Sequence, residues 1–405
     1  MSSGRPDASV GPGAEAAGPG DRGTGRRRDG LHHGAVELGR AVLAVLPAWI
    51  VARVVVTAAL VVARTGAGTL RPGSAEAVRR AHEGLLSWDA GWYLSIARDG
   101  YAAAGTQSVR FFPLYPLIGR YLGAVPGVGT EAALVLVANL SALVAMAALW
   151  LLVRHDQGHT GLARRSVWLL ALAPPAYTLV LAYSDATLLL CSVVTVLGAR
   201  TGRWWWAAAA GLAAGAVRPV GVLLVVPVAV EAWSHRRDRV GRPVWAARGA
   251  ALAAPLVGAG AYLAWVGHRF GDPWLPLTVQ EQNGHRGQFA APVSAMVHDV
   301  VDAFGGHHLG SALHVPWVLV SVALAVVAWR RLPRSSAAFA TVVLVVSLSS
   351  TNLDSFERYA LGAFPLVVAA STFTASRRVE RLVLVASGLA MAGYATLAFL
   401  GLVVP

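Results

Sequence analysis

The sequence predicts an all-α polytopic membrane protein, a helical bundle of about eleven transmembrane helices with two large extracytoplasmic loops. Three observations predict it. First, 56% of the 405 residues are apolar and only 14% are charged, whereas an ordinary soluble domain carries about 25% charged residues. Soluble domains adding up to this length would lack the charge to cover their surfaces, and the apolar content excludes a disordered or collagen-like chain. Second, long apolar runs recur from residue 41 to the end of the chain. Third, the 34 basic residues, all arginine, outnumber the 21 acidic ones and give a net charge of +13, and the arginines gather in short loops. In a soluble chain that excess would point to nucleic acid. In a membrane chain it follows the positive-inside rule, so no nucleic-acid partner is expected.

Taken in order, residues 1–38 are rich in Gly, Pro, Asp and Arg without apolar periodicity, which reads as a disordered cytoplasmic tail. The following apolar stretch is too long for a signal peptide and lacks a small-residue cleavage pattern. The membrane domain is expected over 39–405. Its first span is placed at about Ala41–Val62. Further spans begin near Glu131, Ser166, Tyr183, Trp204, Pro219, Arg248, His314, Ser336, Tyr359 and Leu382. The Trp204–Trp233 stretch reads equally as two short spans hinged at Arg218-Pro219 or as one long kinked span.

With the N-terminus inside, the strongly basic short loops all fall on the cytoplasmic side: Arg154 with Arg164 and Arg165, Arg200 with Arg203, Arg236 to Arg242, Arg330 to Arg334, and Arg377 to Arg381. The long segments 63–130 and 267–313 then fall outside. The rule counts short loops, so the arginines of 63–130 do not contradict it. No internal repeat is evident, which gives no support to an inverted-repeat transporter. Cys191 is the only cysteine, so an intramolecular disulfide and a CxxC zinc site are both excluded.

The first outer loop carries the densest pattern, from Ser87-Trp88-Asp89-Ala90-Gly91-Trp92-Tyr93 to Gly100-Tyr101 and on to Phe111-Phe112-Pro113-Leu114-Tyr115-Pro116. Trp88, Trp92, Tyr93 and Ile96 recur at helical spacing and form an apolar face with Asp89 at its start. Asp89 has two readings. One is a helix cap or dipole partner; the other is a carboxylate held among aromatics at the membrane surface to take a proton from a hydroxyl.

Arg218, beside the helix-breaking Pro219, reads as an anion-binding residue because an intramembrane arginine is functional by default. The alternative is an arginine that snorkels or pairs with Asp185. Arg358 lies in the polar turn Asn352 to Tyr359 and reads either as an anion ligand or as half of a rim ion pair with Glu357 or Asp354. Asp185 opens an outer-side helix, as a cap near Arg218 or as a substrate contact. Arg98 and Asp99 read as surface charges, and Arg53 in the first span calls for an acidic partner. The second outer loop holds His285 and the pair His307-His308. Adjacent histidines face different ways and lack a supporting ligand set, so no metal is assigned and a divalent ion is kept only as a minor alternative. No Walker A loop is present, and the glycine-rich stretches suggest no dinucleotide fold.

Several of these stretches resemble the mannosyltransferases that add the second mannose in GPI-anchor assembly (the PIG-V family) and their shorter actinobacterial relatives. They are Trp88-Asp89-Ala90, Tyr93, Ile96-Ala97, Gly100-Tyr101, Phe111 to Pro116, Ala171-Leu172-Ala173-Pro174, Tyr183-Ser184-Asp185, Arg218-Pro219-Val220-Gly221, Arg358-Tyr359 and Phe364-Pro365. The chain departs from the eukaryotic pattern at Trp92, where a histidine is usual, and at Thr106-Gln107, where an acid is usual.

The resemblance implies a GT-C glycosyltransferase that moves mannose from a polyprenyl-phosphate donor to an acceptor hydroxyl, with inversion, on the outer face of the plasma membrane. The acceptor class is left open between glycolipid, glycan and protein. Asp89 becomes the general base. Arg218 and Arg358 are expected on the phosphate, and Asp185, Trp88, Trp92, Tyr93 and Tyr101 become the other substrate-binding candidates. The residue types suit that chemistry. A polyprenyl phosphate is already a good leaving group, so one base and positive charge on the phosphate suffice, without the paired carboxylates of a glycosidase. A transporter or flippase of lipid-linked sugars would share the arginines and the apolar bulk, but has no need of an aspartate in an aromatic outer loop.

Overall fold

A computed structural model describes residues 21–238, 240–282, 309–350, 352, 353 and 355–405. His285, His307, His308, Asp354 and most of the 267–313 loop lie outside the described residues. Every regular element among the described residues is helical.

Helix α1 spans Asp21–Leu70. It starts inside the segment read as a tail and runs eight residues past the predicted end of the first span. The polar residues there are satisfied without leaving the helix: Thr65 bonds back to the Val61 carbonyl, and Arg64 donates to the Ala81 and His82 carbonyls. The rest of the first outer loop folds into short helices: α2 (Ala75–Glu83), α3 (Asp89–Asp99), α4 (Tyr101–Ala104) and α5 (Leu114–Gly123), with 3-10 turns at Gly84–Leu86 and Thr106–Arg110. Ser74 caps α2 by accepting from the Ala77 amide.

Helix α6 (Thr130–Gln157) ends at Gly158 in the left-handed conformation. α7 (Thr160–Leu172) passes into a 3-10 stretch at Pro174–Leu179, and α8 (Asp185–Arg200) begins at the predicted aspartate. α9 (Trp204–Val217) stops at Arg218, whose backbone is extended. A 3-10 turn at Pro219–Leu224 then leads into α10 (Val225–Ser234). Glu231, near the end of α10, meets Arg200, which lies just before α9 begins. The chain therefore goes out along α9 and returns along α10, which decides for a hinge at Arg218 over a single kinked helix.

The remaining helices are α11 (Arg242–Phe270), α12 (Leu275–Gln280), α13 (Leu309–Arg331), α14 (Arg334–Leu348), α15 (Phe356–Gly362), α16 (Pro365–Ser371) and α17 (Arg377–Phe399). α9 and α11 pack closely because small residues let the backbones touch. A Cβ on Gly215 would lie 2.1 Å from the Pro255 carbonyl oxygen, and one on Gly258 would lie 2.1 Å from that of Leu212.

Among the described residues, four stretches are long and apolar enough to cross a membrane: Val36–Leu70, Thr130–Gln157, Arg242–Phe270 and Arg377–Phe399. With many exposed apolar side chains, including Leu43, Val54, Leu256, Leu382 and Leu389, they give the chain the character of a membrane protein. The basic segments collect at one end of the bundle. Arg200 joins Asp156, Glu231 and Ser335 there, Arg164 joins Glu380, and Arg331 donates to Thr372. The start of α8 and the turn at Arg218 face the opposite end.

Candidate functional site

Asp89 is the first residue of α3, where its charge suits the helix dipole. Its amide donates to the Tyr183 hydroxyl at 3.3 Å. Trp88, just before it, holds φ at +60°, a conformation that costs a non-glycine residue of the order of 1–3 kcal/mol. The Trp88 indole donates to the Ala398 carbonyl at 3.0 Å, and the Arg80 guanidinium lies 3.9 Å over its ring. These contacts fix the turn that presents Asp89.

Arg358 approaches from α15. Ser355, the residue preceding that helix, also has a left-handed φ of +64°, and its hydroxyl donates to the Pro405 carbonyl. Trp88 and Ser355 are the two non-glycine residues with positive φ among the described residues, and each stands at the entry of a helix carrying one member of an ion pair. The Arg358 guanidinium lies 3.0 Å from the Asp89 carboxylate through NH1 and 3.5 Å from Asp185 through Nε. Of the rim partners in one of its two readings, Asp354 lies outside the described residues and Glu357 is not what holds it. Sequence neighbours on a helix point about 100° apart, and Arg358 turns inward.

Asp185 in turn receives Arg218 at 2.7 Å, and Arg218 donates to the Tyr359 hydroxyl at 3.4 Å. The four charged residues that stand out in the sequence thus form one chain of contacts, Asp89–Arg358–Asp185–Arg218, with two charges of each sign. Arg358 is buried, the Arg218 and Asp185 side chains keep 13% and 11% of their surface exposed, and the Asp89 side chain keeps 32%. Asp185, Arg218, Arg358 and Tyr359 line a small cavity of about 30 Å³, whose other walls include Leu179, Leu188, Val220 and Phe339.

The aromatic candidates divide. Tyr93 reaches the network's surroundings: its buried hydroxyl lies 2.6 Å from that of Ser184, next to Asp185. Burial among Phe111 and Tyr115 pushes its ionisation well above the ordinary phenol range. Trp92 stacks on Phe111 and carries Arg110 over its face at 5.6 Å. Tyr101 donates to the Phe111 carbonyl and packs on Tyr262 and Trp265, tying the loop to α11.

Three residues to which the sequence assigns no role of their own belong to this region. Arg110 is lowered from the usual arginine range first by burial, a shift that the nearby Asp89 charge opposes. Tyr183 holds the Asp89 amide, and Tyr359 holds Arg218. Adjacency was the available signal: Arg110 precedes Phe111-Phe112-Pro113, and Tyr359 follows Arg358. Arg53 meets no acid among the described residues. It bonds the Asn139 side chain at 2.9 Å and the Leu179 carbonyl, and stacks on Trp49, since an amide and carbonyls satisfy its donors. Arg98 does pair at the surface, with Glu131 at 2.7 Å. No cluster of three or more His, Cys, Asp or Glu residues suited to a metal occurs among the described residues.

No curated protein matches the chain. Residues 111–352 match the family model of glycosyltransferase family 87. The matched segment takes in Asp185 and Arg218, while Asp89 and Arg358 flank it on either side. Because it covers well over half of the sequence, the chain belongs to glycosyltransferase family 87, and it is a glycosyltransferase with the apolar helices of a membrane protein.

Proposed function

We propose that the protein transfers mannose from a polyprenyl-phosphate donor to an acceptor hydroxyl on the outer face of the plasma membrane, with inversion at the anomeric carbon. The observation that carries this reading is the run of contacts Asp89–Arg358–Asp185–Arg218 at the end of the bundle opposite the basic loops. Asp89 is the member with the most exposed carboxylate and therefore the one able to meet an acceptor. It takes the hydroxyl proton as the acceptor oxygen bonds to the anomeric carbon. The bond from that carbon to the phosphate oxygen breaks, and its electron pair leaves with the lipid phosphate. Arg358 and Arg218 bind the phosphate and stabilise the charge that develops on it. Asp185 holds the two arginines in register. Trp92 and Tyr93, with Trp88 and Tyr101 behind them, shape the sugar-binding surface.

In this reading the fold is GT-C-like and PIG-V-like, with about eleven spans. Segment 63–130 is the catalytic loop and 267–313 the second extracytoplasmic loop. The tail 1–38 and the basic loops lie in the cytoplasm, as an actinobacterial-type cell envelope enzyme would place them. The acceptor is a glycolipid, a glycan or a protein hydroxyl, and no metal is required. The test is transfer of labelled mannose from polyprenyl-phosphate mannose in membranes holding wild type or Asp89→Asn at equal amounts. Removal of the base is expected to lower transfer by about 100-fold or more; an unimpaired variant would remove Asp89 from the chemistry.

A further inference from the structure

The contact that makes Asp89 conspicuous also disarms it. A carboxylate held 3.0 Å from a guanidinium has its oxygen engaged there and is not turned toward an acceptor while that contact lasts. The pocket meant for the phosphate is equally disarmed. Both arginines are neutralised by carboxylates, and the cavity they line, about 30 Å³, has room for about one or two waters. Two features mark the Asp89–Arg358 contact as the one that gives way. Its partners sit on helices whose entries hold strained, left-handed φ values and carry no side-chain cap. The buried Arg358 Nε has no hydrogen-bond partner, although Asp185 lies 3.5 Å away. By contrast Asp185 is largely enclosed and shared between both arginines, and its loss would leave Arg218 without a carboxylate.

We propose that Asp89 is a latch on the phosphate pocket: in the resting protein it neutralises Arg358, and a singly charged phosphodiester replaces it there, which frees Asp89 to act as the base. The inference rests on the reading of Asp89 and the arginines given above. One negative group enters as another leaves, so the arginines stay neutralised. The unsatisfied Nε supplies a donor that fits a phosphate oxygen better than the distant Asp185 oxygen. The carboxylate, on the exposed side of the network, swings toward the acceptor. Donor binding therefore comes first, and the base becomes available only when there is a donor to use it on. Arg110, stacked over Trp92 and Phe111 close to Asp89, offsets part of the charge that Asp89 carries once it leaves Arg358.

The experiment uses the full chain in lipid nanodiscs and the methyl phosphodiester of a polyprenol, a singly charged probe that cannot transfer sugar. Its affinity is read by calorimetry for wild type, Asp89→Asn, Arg358→Gln and the double variant, with Asp89→Ala as a second form of the first change and thermal midpoints reporting folding. A latched site lets the probe bind only after the pair opens, so Asp89→Asn and Asp89→Ala should bind it about ten- to a hundredfold more tightly than wild type. Simple removal of a repelling charge would also tighten binding, but that gain would persist without Arg358. The latch requires the gain to vanish in the Arg358→Gln background. Equal affinity in wild type and Asp89→Asn, or a gain that survives in that background, overturns the latch and leaves Asp89 as a base. If no form binds the probe, the phosphate-donor reading falls and the latch falls with it.

Discussion

Helix α8 begins at Asp185 and ends at Arg200, roughly 22 Å apart at the rise of an α-helix, and each end anchors a buried charge network of different construction. At the basic end, Arg200 gives Nε to Glu231, NH1 to Asp156 and NH2 to Ser335 and Ser336. Every donating nitrogen has a partner, and the partners come from the regular ends of α6, α10 and α14. At the other end, Asp185 links two arginines that sit at or shortly after irregular backbone. Arg218 lies in the extended residue between α9 and a 3-10 turn, and Arg358 follows a left-handed serine and keeps a buried Nε without a hydrogen bond. That end also carries the cavity and the partly exposed Asp89. A saturated network on regular helices ties elements together. An incompletely satisfied one on strained backbone is what the proposed binding role requires.

The sharpest way to break this comparison is to remove one arginine from each end. Arg218→Gln leaves Asp185 still beside Arg358, so the fold should hold, while on the proposed reading the developing phosphate charge loses a cation. Transfer should fall by about 100-fold or more, with a small change in the thermal midpoint. Arg200→Gln should do the reverse. It leaves Asp156 and Glu231 buried without their shared cation, at a cost of about 3–5 kcal/mol, seen as a large drop in the thermal midpoint. The transfer rate per folded molecule should stay near that of wild type. If Arg218→Gln destabilises as much as Arg200→Gln and leaves transfer intact, the two ends are alike and both are structural.

A finer cut is Glu231→Gln. Asp156 still neutralises Arg200, and the amide can still accept from Ser335, so only the strength of those bonds is reduced. The expected loss is about 1–2 kcal/mol, well short of Arg200→Gln, again with transfer unchanged. A loss equal to that of Arg200→Gln would mean that Glu231 holds the network together instead of completing it.

Individual residues show what was legible before any coordinates. Asp89, Asp185, Arg218 and Arg358 stand out because a chain so poor in charge has few reasons to keep ionisable groups near apolar spans. Their partnerships were hidden. Arg358 reads from its neighbours as a partner of Glu357 or Asp354, yet it meets Asp89, 269 positions earlier, because pairing depends on where two helices enter and not on adjacency. The reversal at Arg218 was equally ambiguous: Pro219 marks a break, but only the return of Glu231 to Arg200 shows which way the chain turns. Tyr183 and Tyr359 stand in the stretches that carry the resemblance, yet they and Arg110 gain no role from the sequence, because tyrosines and arginines are ordinary membrane-interface residues and nothing in their spacing shows what they hold.

The smallest effect is expected at an ion pair that belongs to neither network. Arg98, in the last turn of α3, meets Glu131 in the first turn of α6 at 2.7 Å, as close as Arg218 meets Asp185. The distances are the same, but both Arg98 and Glu131 leave about half of their side-chain surface in solvent. Water and salt therefore screen the attraction, and two flexible side chains must be ordered to make it. Arg98→Ala should change stability by less than about 1 kcal/mol and leave transfer unaltered, although the residue sits on the same short helix as Asp89. A clear loss of transfer in this variant would show that α3 acts as a whole in positioning Asp89. Without one, burial and satisfaction of the partners, and not contact distance, separate the ion pairs that matter from those that do not.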